Sequence, residues 1–338
     1  MKIIVLAGGK SDEHDVSMSS GSKISNALIE NGHKVLLIDL LVGVPQCKDF
    51  DCAYEKYYQD HYTYEIPKEV SNLRDSKVNE IGENILDICS SADIVFIALH
   101  GGIGEKGQLQ AIFDSFNIRY TGSGYQGSLL AMNKLIAKEL MSIHNILSAP
   151  WCTVSKNVKN KEIKLPAVIK PTDNGSSIGV AIVENKEELD SAIDKAFDCS
   201  SDSKILIEEK ITGREFSVGV LGEQVLPVIE LKPRTGFYDY QNKYQNNRTE
   251  EIVPANIAVE LSKKMQEISH KVHELLGLSV YSRTDFLLDH QDEIFVIEIN
   301  SLPGMTPNSL LPQEAKAIGI NFNELCERIV EESLKKYQ

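Results

Sequence analysis

The sequence has few of the features that are typical of exported, membrane-spanning or zinc-binding proteins. Its six cysteines are scattered, with no CxxC pair and no histidine at zinc-finger spacing, so we expect reduced thiols rather than a disulfide framework or a zinc site. The apolar stretch in MKIIVLAGG is too short for a signal sequence, and no later run reaches membrane length. These absences predict a cytoplasmic protein with no membrane partner.

Positive charge is also scarce. The chain has 35 Lys and Arg against 49 Asp and Glu, which gives a net charge of -14 at pH 7. Proteins that follow a nucleic-acid backbone concentrate positive charge, so we expect no nucleic-acid partner, and any phosphate site must be local. Hydrophobic residues at 42% and charged residues at 25% are ordinary for a folded protein, and 338 residues are enough for two or three domains.

The first hundred residues carry apolar strand patterns that end in glycine turns. The strand at 3–7 precedes Gly8-Gly9, a helical pattern at 17–31 follows, and further strands are predicted at 34–38 and 93–99. This βαβ pattern predicts an α/β domain with functional groups at the carboxyl ends of its strands. A nicotinamide-dependent dehydrogenase would begin in the same way, but the GxGxxG turn that it requires is missing.

The middle of the chain contains two lysines in positions suited to phosphate. Lys134 lies on a helix predicted from Gly127 to about Met141, and Lys170 ends a strand and opens the glycine- and serine-rich turn KPTDNGSSIG. Such turns present backbone N–H groups and a lysine charge to phosphate oxygens, although this one is not a P-loop. An ordinary turn and an ordinary surface cation are the alternatives.

Two strand patterns near the C-terminus, SVYSRTDFLLD and EIFVIEIN, predict an antiparallel hairpin that turns at Gln291-Asp292. In that register Asp285 faces Glu298 and Arg283 faces Asn300, while the opposite face forms a core of Phe286, Leu288, Phe295 and Ile297. Facing carboxylates repel unless a cation separates them, and two carboxylates with an amide oxygen suit magnesium. The alternative is that Arg283 pairs with Asp285 on a solvated sheet face.

Two further segments have less specific signals. Glu208 in ILIEEK, and Glu215 beyond the next turn, could accept hydrogen bonds from an adenine amino group and ribose hydroxyls, or could be solvated edge charges. Residues 232–253 are predicted to form a long polar loop, and its four aromatic residues favour a functional role. Residues 43–80 are predicted to be irregular and receive no role.

Taken in order, nine segments resemble the successive motifs of D-alanine:D-alanine ligases in the ATP-grasp family: GGKSDEHDVS, ALHGGIGEKGQLQ, YTGSGYQGSLLAMNK, VIKPTDNGSSIGV, LIEEKITGREFSV, FYDYQNKY, SRTDF, EINSLPGMT and NSLLP. The resemblance covers nearly the whole chain. It implies an α/β chain, α+β in its C-terminal half, with three-domain ATP-grasp architecture. The expected domains are an N-terminal βαβ substrate domain at 1–125, a small central domain at 126–212 and a catalytic domain with a mainly antiparallel sheet at 213–338.

The resemblance also implies a nucleotide and metal site between the central and C-terminal domains. In such ligases the positions of Lys134 and Lys170 hold phosphates, and those of Glu208, Ile211 and Glu215 surround adenosine. The metal ligands would be Asp285, Glu298 and Asn300, with two Mg²⁺ ions, Mn²⁺ as an option and a monovalent cation as a further requirement to test. ATP is then a co-substrate.

For the amino-acid substrates and their reaction, the resemblance assigns four groups of residues. The first D-alanine would meet Glu13 and His100, and the oxyanion would be stabilised by Arg283 and the Gly304 N–H. The carboxylate of the second would meet Ser309 and Leu310. A hydrogen-bonded set of Glu13, Ser176 and Tyr244 would close a loop over the site, and Tyr244 with Lys243 favours an amide product. His14 is expected to be a solvated turn residue.

The implied reaction joins two D-alanine molecules through an acylphosphate, for peptidoglycan precursor synthesis, in a homodimer. A ligase that joins D-alanine to D-serine or another amino acid, and a nucleotide-binding paralogue without catalysis, are the alternatives. Some positions depart from the usual motifs: Lys106 and Asn133 stand where Asp is common, Asp173-Asn174 where Arg-Glu is common, and Ser301 where Thr is common. These departures leave room for an altered second substrate.

Overall fold

The computed structural model describes residues 1–65, 79–156, 163–175, 177–233 and 249–338. Within these ranges, helices pack against three β-sheets, one parallel and two antiparallel. The parallel sheet lies in the N-terminal part, and the larger antiparallel sheet lies in the C-terminal half. The predicted fold class is therefore confirmed.

The N-terminal sheet is parallel, in the order β2-β1-β3, and is almost completely buried. Its strands are β1 (Lys2–Ala7), β2 (Lys34–Asp39) and β3 (Ile94–Ile97). The helix α1 (His14–Glu30) connects β1 to β2, as the βαβ pattern predicts. Shorter helices follow in this part of the chain: α2 (Phe50–Tyr57), α3 (Ile85–Ser90), α4 (Gly102–Glu105) and α5 (Gln108–Ser115).

The segment predicted to be irregular at 43–80 contains the helix α2. Asp49 caps this helix by accepting a hydrogen bond from the Cys52 N–H at 2.9 Å. Cys47, in the loop before this cap, and Cys52, in the first turn of α2, are joined by a disulfide, with Cα atoms 5.6 Å apart. The prediction of reduced thiols is therefore wrong for this pair. The other four cysteines are free.

The single helix predicted from Gly127 to Met141 is two helices, α6 (Tyr125–Met132) and α7 (Lys134–Ile143). They are separated by Asn133, whose backbone is extended and whose side chain caps α7 by accepting from the Ile136 N–H at 3.1 Å. Lys134 therefore begins a helix instead of lying in the middle of one. Apolar side chains of both helices pack in the C-terminal core.

A four-stranded antiparallel sheet follows, in the order β4-β7-β5-β6. Its strands are β4 (Trp151–Ser155), β5 (Ala167–Pro171), β6 (Ala181–Val183) and β7 (Lys204–Glu209), and the helix α8 (Lys186–Asp198) covers one face. Because side chains alternate, Ile169, Ile205 and Ile207 point into the core with α8, and Lys170 and Glu208 lie on the opposite face.

The C-terminal sheet has the order β11-β10-β8-β12-β13, with β9 paired to β8. Its strands are β8 (Gly213–Leu221), β9 (Gln224–Val225), β10 (Ile229–Pro233), β11 (Thr249–Ile252), β12 (Tyr281–Asp289) and β13 (Ile294–Asn300). The described ends of the predicted 232–253 loop are paired strands, since Lys232 pairs with Glu250 and Pro233 with Thr249. Helix α9 (Val259–Leu275) packs against β8 and β12.

The register of the β12–β13 hairpin is as predicted at its functional end. Asp285 pairs with Glu298, and Arg283 pairs with Asn300. A bulge then shifts the pairing, so that Phe286 lies opposite Val296 instead of Ile297. The prediction of the core face is consequently wrong on β13, where Ile294 and Val296 are buried and Phe295 and Ile297 are only half-buried.

The last two helices, α10 (Leu310–Ala317) and α11 (Phe322–Lys335), return the chain to the N-terminal sheet. Helix α11 packs on α1, where His33 Nε2 lies 2.8 Å from Glu327. One apolar core contains β1 together with Tyr281, Leu311 and Ile329. The domain boundaries at 125/126 and 212/213 stay a prediction. None of the described helices is long and apolar enough to cross a bilayer.

Candidate active site

The loops after β1 and β3 bring two predicted substrate residues together. Glu13 is the N-cap residue of α1 and is 6% exposed. The Ser11 hydroxyl accepts from the Glu13 N–H at 3.1 Å and donates to the His100 carbonyl at 2.7 Å, which ties the two loops to each other. His100 is buried, with Nε2 3.1 Å from Ser20 Oγ. Burial lowers the pKa of His100, so its imidazole is neutral at pH 7.

A third acidic residue in this region, Glu105, was not singled out from the sequence. Its Oε2 accepts a hydrogen bond from the Gly101 N–H at 3.0 Å. Burial, followed by the charge of Glu13, raises the pKa of Glu105 to about 8. The sequence signal for Glu105 was the short helical turn directly after the His100 motif, because such a turn brings Glu105 back to the end of β3. The site therefore contains a second carboxyl group, beside Glu13, whose pKa is raised.

A cleft separates these loops from the glycine- and serine-rich turn. Its walls include Lys10, Asp12, Glu13, Lys106, Asn174 and Ile178. A Cβ placed on Gly175 would lie 3.9 Å from Glu13 Oε2 and 3.8 Å from Glu105 Oε2. The turn that was predicted to bind phosphate therefore closes directly over the two carboxyl groups of the N-terminal loops.

On the polar face of the four-stranded sheet, Glu208 lies between two lysines. Lys170 Nζ donates to Glu208 Oε2 at 2.7 Å, and Lys138 Nζ lies 3.0 Å from Oε1. Burial works to raise the pKa of Glu208, but the charges of Lys170 and Lys138 outweigh it and leave the pKa below its usual value. The structure thus brings the predicted residues Lys170 and Glu208 together and adds Lys138, which the sequence reasoning missed.

Lys134 connects this face to the C-terminal hairpin. Its Nζ donates to the Asn174 carbonyl at 2.6 Å and lies 3.7 Å from Glu298 Oε2. The helix cap at Asn133 places Lys134 in the first turn of α7, where its side chain can span the gap between the two sheets. Lys134 therefore contacts both the predicted phosphate turn and the predicted metal ligand Glu298.

Asp285 is held by four donors. Arg283 binds both of its oxygens, through Nε to Oδ1 and through a terminal nitrogen to Oδ2, each at 2.8 Å. Ser217 Oγ donates to Oδ1 at 2.7 Å, and Asn300 Nδ2 donates to Oδ2 at 3.1 Å. The pairing of Arg283 with Asp285, which the sequence left open as an alternative, is present, but on a buried face and not on a solvated one.

The predicted metal ligands can be compared with the chemistry of a divalent cation. Asp285 and Glu298 face each other across the hairpin, and Asn300 lies two residues from Glu298 on the same face. Arg283 binds both oxygens of Asp285, so a metal ion at this carboxylate would share it with the guanidinium. The donor set of two carboxylates and an amide fits Mg²⁺. No group of three or more His, Cys, Asp or Glu in the described ranges forms a metal cluster.

The segment after β13 forms a tight turn before α10. Ser309 is the N-cap residue of α10, its Oγ accepts from the Thr306 N–H at 3.1 Å, and Leu310 is buried. A Cβ on Gly304 would approach Ser309 Oγ to 3.0 Å, so glycine permits the close packing of this turn. The predicted anion-binding residues therefore lie at the N-terminus of a helix, where unpaired N–H groups favour a carboxylate.

The remaining predicted residues fall in two groups. Glu215 pairs with Leu287 on the neighbouring strand and shares the sheet face of Ser217 and Asp285, while Ile211 is half-buried in the turn between β7 and β8. Ser176, Lys243 and Tyr244 lie outside the described residues. The predicted loop closure by Glu13, Ser176 and Tyr244 stays a prediction.

Comparison with known protein families decides the family. The family model described as "D-ala D-ala ligase N-terminus" matches residues 2–123, and that described as "D-ala D-ala ligase C-terminus" matches residues 143–331. The chain belongs to the D-alanine–D-alanine ligase family. It is therefore an ATP-dependent ligase, as the motifs predict.

Relatives in the D-alanine–D-alanine ligase family match over the full chain. The D-alanine–D-alanine ligase of Pediococcus pentosaceus is 43% identical, over 100% of this chain and 99% of the relative. That of Lacticaseibacillus casei is 40% identical, over 100% and 97%. The crystal structure of the Bacillus anthracis D-alanine–D-alanine ligase complexed with ATP is 28% identical, with a TM-score of 0.76 and coverage of 99% and 98%.

Two of the positions that depart from the usual family motifs are in contact. Lys106 Nζ lies 3.2 Å from Asp173 Oδ2, with side chains 31% and 14% exposed. Asp173 also accepts from the Ser200 hydroxyl at 2.7 Å. Burial alone would raise the pKa of Asp173, but the hydroxyls of Ser200 and Ser201 and the charge of Lys106 lower it to about 2. This ion pair fastens the phosphate turn to the N-terminal loops.

Reversing both charges tests this ion pair. We expect Lys106→Asp and Asp173→Lys each to lower kcat/KM for ATP by about tenfold, because each places like charges beside the turn. The double variant should recover most of the loss, since coupled pairs typically interact by about 0.5–3 kcal/mol. The measurement is steady-state kinetics, with Lys23→Glu on the exposed side of α1 as the control. Purely additive losses in the double variant would contradict the expectation.

His14 was predicted to be a solvated turn residue, and that prediction is wrong. Its Nε2 lies 2.8 Å from Asp39 Oδ2, its Nδ1 lies 3.2 Å from Asp15, and its side chain is only 13% exposed. The hydrogen bond to Asp39, partly offset by burial and supported by the charges of both carboxylates, raises the pKa of His14. Gly8 has a φ of +70° beside this pair, and a Cβ there would meet Asp39 at 2.4 Å.

The raised pKa predicts a pH-dependent stability. A group with a raised pKa in the folded state stabilises fully below its unfolded value, which is 6.5 for His14, and the contribution is lost as pH rises through the folded value. The lowered pKa of Asp39 acts only in acid and does not enter this range. We expect the unfolding free energy from urea titration to fall more steeply above pH 6.5 in the wild type than in His14→Gln. Parallel curves would contradict this.

Proposed function

We propose that this chain joins two D-alanine molecules into D-alanyl-D-alanine, while ATP is converted to ADP and phosphate through an acylphosphate. One observation supports the proposal above the others. Lys134 reaches the phosphate turn at Asn174 and the facing carboxylate Glu298 at the same time. A transferred phosphoryl group needs a cation and metal ligands at one point, and this arrangement supplies both.

The nucleotide is proposed to lie between the four-stranded sheet and the C-terminal sheet. Lys170 and Lys134 would hold its phosphates, and the buried carboxylate of Glu208 would accept from the adenine amino group. Ile211 and Glu215 would line the adenosine on the connection to β8. Asp285, Glu298 and Asn300 would hold two Mg²⁺ ions, which supply the charge that offsets the transferring phosphoryl group. Manganese in place of magnesium, and a monovalent cation, are additions to test.

The first D-alanine is proposed to enter the N-terminal loops. Glu13 offers a buried carboxylate to its ammonium group, and the neutral imidazole of His100 lies beside it. Its carboxylate then attacks the γ-phosphorus of ATP, forming a C–O–P linkage as the bond to ADP breaks. Exclusion of water from this buried region protects the acylphosphate from hydrolysis.

The second D-alanine is proposed to bind through its carboxylate at Ser309 and Leu310, the start of α10. Its amine attacks the acylphosphate carbonyl, and phosphate leaves with the C–O bond electrons as the amine loses a proton. The oxyanion of the tetrahedral intermediate would be stabilised by Arg283 and the Gly304 N–H, and donors of this kind contribute about 3 kcal/mol each. Arg283 must then share its guanidinium between Asp285 and the oxyanion.

Product analysis is the experiment that tests this function. The protein is incubated with ATP, Mg²⁺ and D-alanine, and ADP, phosphate and dipeptide are quantified together. We expect equal amounts of the three products and no dipeptide without ATP. ADP release without dipeptide, or a preference for D-serine as the second substrate in competition, would overturn the assignment of the product. The homodimer and the cytoplasmic location are also part of the proposal, and light scattering and cell fractionation test them.

A further inference from the structure

Lys138 is a buried cation on the nucleotide side of the four-stranded sheet. It follows Lys134 by one helical turn, so the two side chains leave the same face of α7. Whereas Lys134 reaches Asn174, Lys138 points between β7 and the start of β4, with Nζ 3.0 Å from Glu208 Oε1 and 3.4 Å from the Ala149 carbonyl. Its side chain is 2% exposed, and lysine is almost never buried to this extent without a function or a partner.

The two oxygens of Glu208 differ in their contacts. Oε2 accepts the hydrogen bond from Lys170. Oε1 is buried and pairs with the Lys138 ammonium at 3.0 Å. An ionised carboxylate can accept about four hydrogen bonds, so the two lysine contacts leave an acceptor site for a further donor. An exocyclic amino group of a purine is the kind of donor that would occupy such a site.

Lys170 cannot serve Glu208 and a phosphate equally well. Under the proposed function Lys170 binds the phosphates of ATP, and it must then weaken its 2.7 Å contact with Glu208. A buried carboxylate that loses its counter-charge takes up a proton. Lys138 does not face this competition, because its ammonium is enclosed between Glu208 and the Ala149 carbonyl on a capped helix.

We propose that Lys138 is a positioning residue that keeps Glu208 ionised and directed at the purine amino group when Lys170 turns to the phosphates. This inference rests on the proposed function, since it requires ATP at this face. It assigns different tasks to the two lysines around Glu208. Lys170 moves its contact to the phosphates when ATP binds, whereas Lys138 stays paired with Glu208.

Equilibrium binding of two nucleotides, without turnover, tests the proposal. ATP is compared with purine riboside 5′-triphosphate, which lacks the 6-amino group, for the wild type and for Lys138→Met. We expect the wild type to prefer ATP by on the order of tenfold, the usual effect of one hydrogen bond to a charged acceptor. In Lys138→Met the preference should fall to about twofold at pH 6.5 and recover toward pH 8.5, as Glu208 loses its proton.

A matched control uses Glu209, which follows Glu208 in β7 and lies on the opposite face of that strand. Lys164 is exposed and pairs with Glu209 at 2.8 Å, so Lys164→Met removes a lysine–glutamate ion pair on the same strand without touching the nucleotide face. It should keep the wild-type preference at both pH values. If Lys138→Met weakens both nucleotides equally and without pH dependence, Lys138 acts only through packing and the proposal is overturned.

A second variant keeps the test valid if Lys138→Met does not fold. In the double variant Lys138→Met with Glu208→Gln, the buried carboxylate is gone and Lys170 can still donate to the amide oxygen, so we expect thermal stability above that of Lys138→Met and ATP binding that no longer changes with pH. A double variant no more stable than the single one overturns the proposal. A wild type that binds both nucleotides alike also overturns it, while dipeptide synthesis would still support the ligase function. A wild type that binds no nucleotide would instead refute the proposed function itself.

Discussion

Glu298→Gln is expected to lower kcat by on the order of 10³-fold and to leave the protein as stable as the wild type, or slightly more stable. The amide keeps the shape of the side chain but removes one of two facing carboxylates that are proposed to hold the metal ions, and metal stabilisation of the phosphoryl group supplies several kcal/mol. Without metal, the same carboxylate opposes Asp285 across the hairpin and adds to the charge that raises the pKa of Glu105. Its removal therefore relieves repulsion, which offsets the loss of the 3.7 Å contact between Glu298 and Lys134.

The measurement combines steady-state turnover at saturating ATP, Mg²⁺ and D-alanine with thermal unfolding of the protein without ligands. Glu293→Gln is the matched control, since Glu293 lies at the exposed turn of the same hairpin and should lose neither activity nor stability. Turnover within about threefold of the wild type in Glu298→Gln would remove this residue from the metal site. A large fall in the unfolding temperature would instead assign Glu298 to the stability of the fold.

Arg283→Met is expected to abolish turnover and, unlike the first variant, to destabilise the fold strongly. Arg283 supplies two of the four hydrogen bonds to Asp285, and both side chains are nearly buried. Removing one partner of a buried ion pair costs about 3–5 kcal/mol, and we expect the lower end because Ser217 and Asn300 still donate to the carboxylate. The free energy of unfolding from urea titration measures this loss.

The double variant Arg283→Met with Asp285→Asn separates stability from catalysis. It contains no uncompensated charge, so most of the lost stability should return, while turnover should stay absent because both groups are proposed to act on the reacting atoms. Arg283→Lys is the control for charge alone, since a lysine cannot bind both oxygens of Asp285 in the planar geometry of a guanidinium. Unchanged stability in Arg283→Met would contradict the assigned strength of the ion pair.

The sequence predicted the hairpin because two kinds of pattern agreed there. Alternation placed the polar side chains on one face, and the short polar turn limited the register, so the pairing of Asp285 with Glu298 followed. The bulge beside Phe286 could not be predicted, because neither the composition of EIFVIEIN nor its order of polar and apolar residues indicates where an extra residue is inserted. The assignments on β13 between the bulge and the turn were therefore displaced to the other face, whereas Phe286 and Leu288 on β12 are buried as predicted.

The missed residues share a different cause. Lys138 was visible as the second lysine on one helix face, but its burial depends on the four-stranded sheet packing against α7, which no local pattern reports. The same holds for His14, whose partner Asp39 comes from the end of the next strand. The sequence did contain a signal for the helix break at Asn133, since Asn is a preferred N-cap residue. The signal was overlooked because the apolar pattern continues on both sides of it.

The disulfide between Cys47 and Cys52 shows the limit of arguments from spacing. Separation by five residues fits no zinc motif, and the pairing joins a loop cysteine to one in the first turn of the helix that Asp49 caps. Counting cysteines over the whole sequence could not reveal this local geometry. The four free cysteines agree with the original expectation.

The distribution of the apolar cores has a consequence for how the parts of the chain are held together. The N-terminal sheet shares its core with α11 and with residues of the C-terminal half, whereas the four-stranded sheet and α8 have a separate core of their own. Because that core is not shared, polar contacts tie the four-stranded sheet to the rest of the chain. The contacts of Lys106 with Asp173 and of Lys134 with Asn174 are two of them.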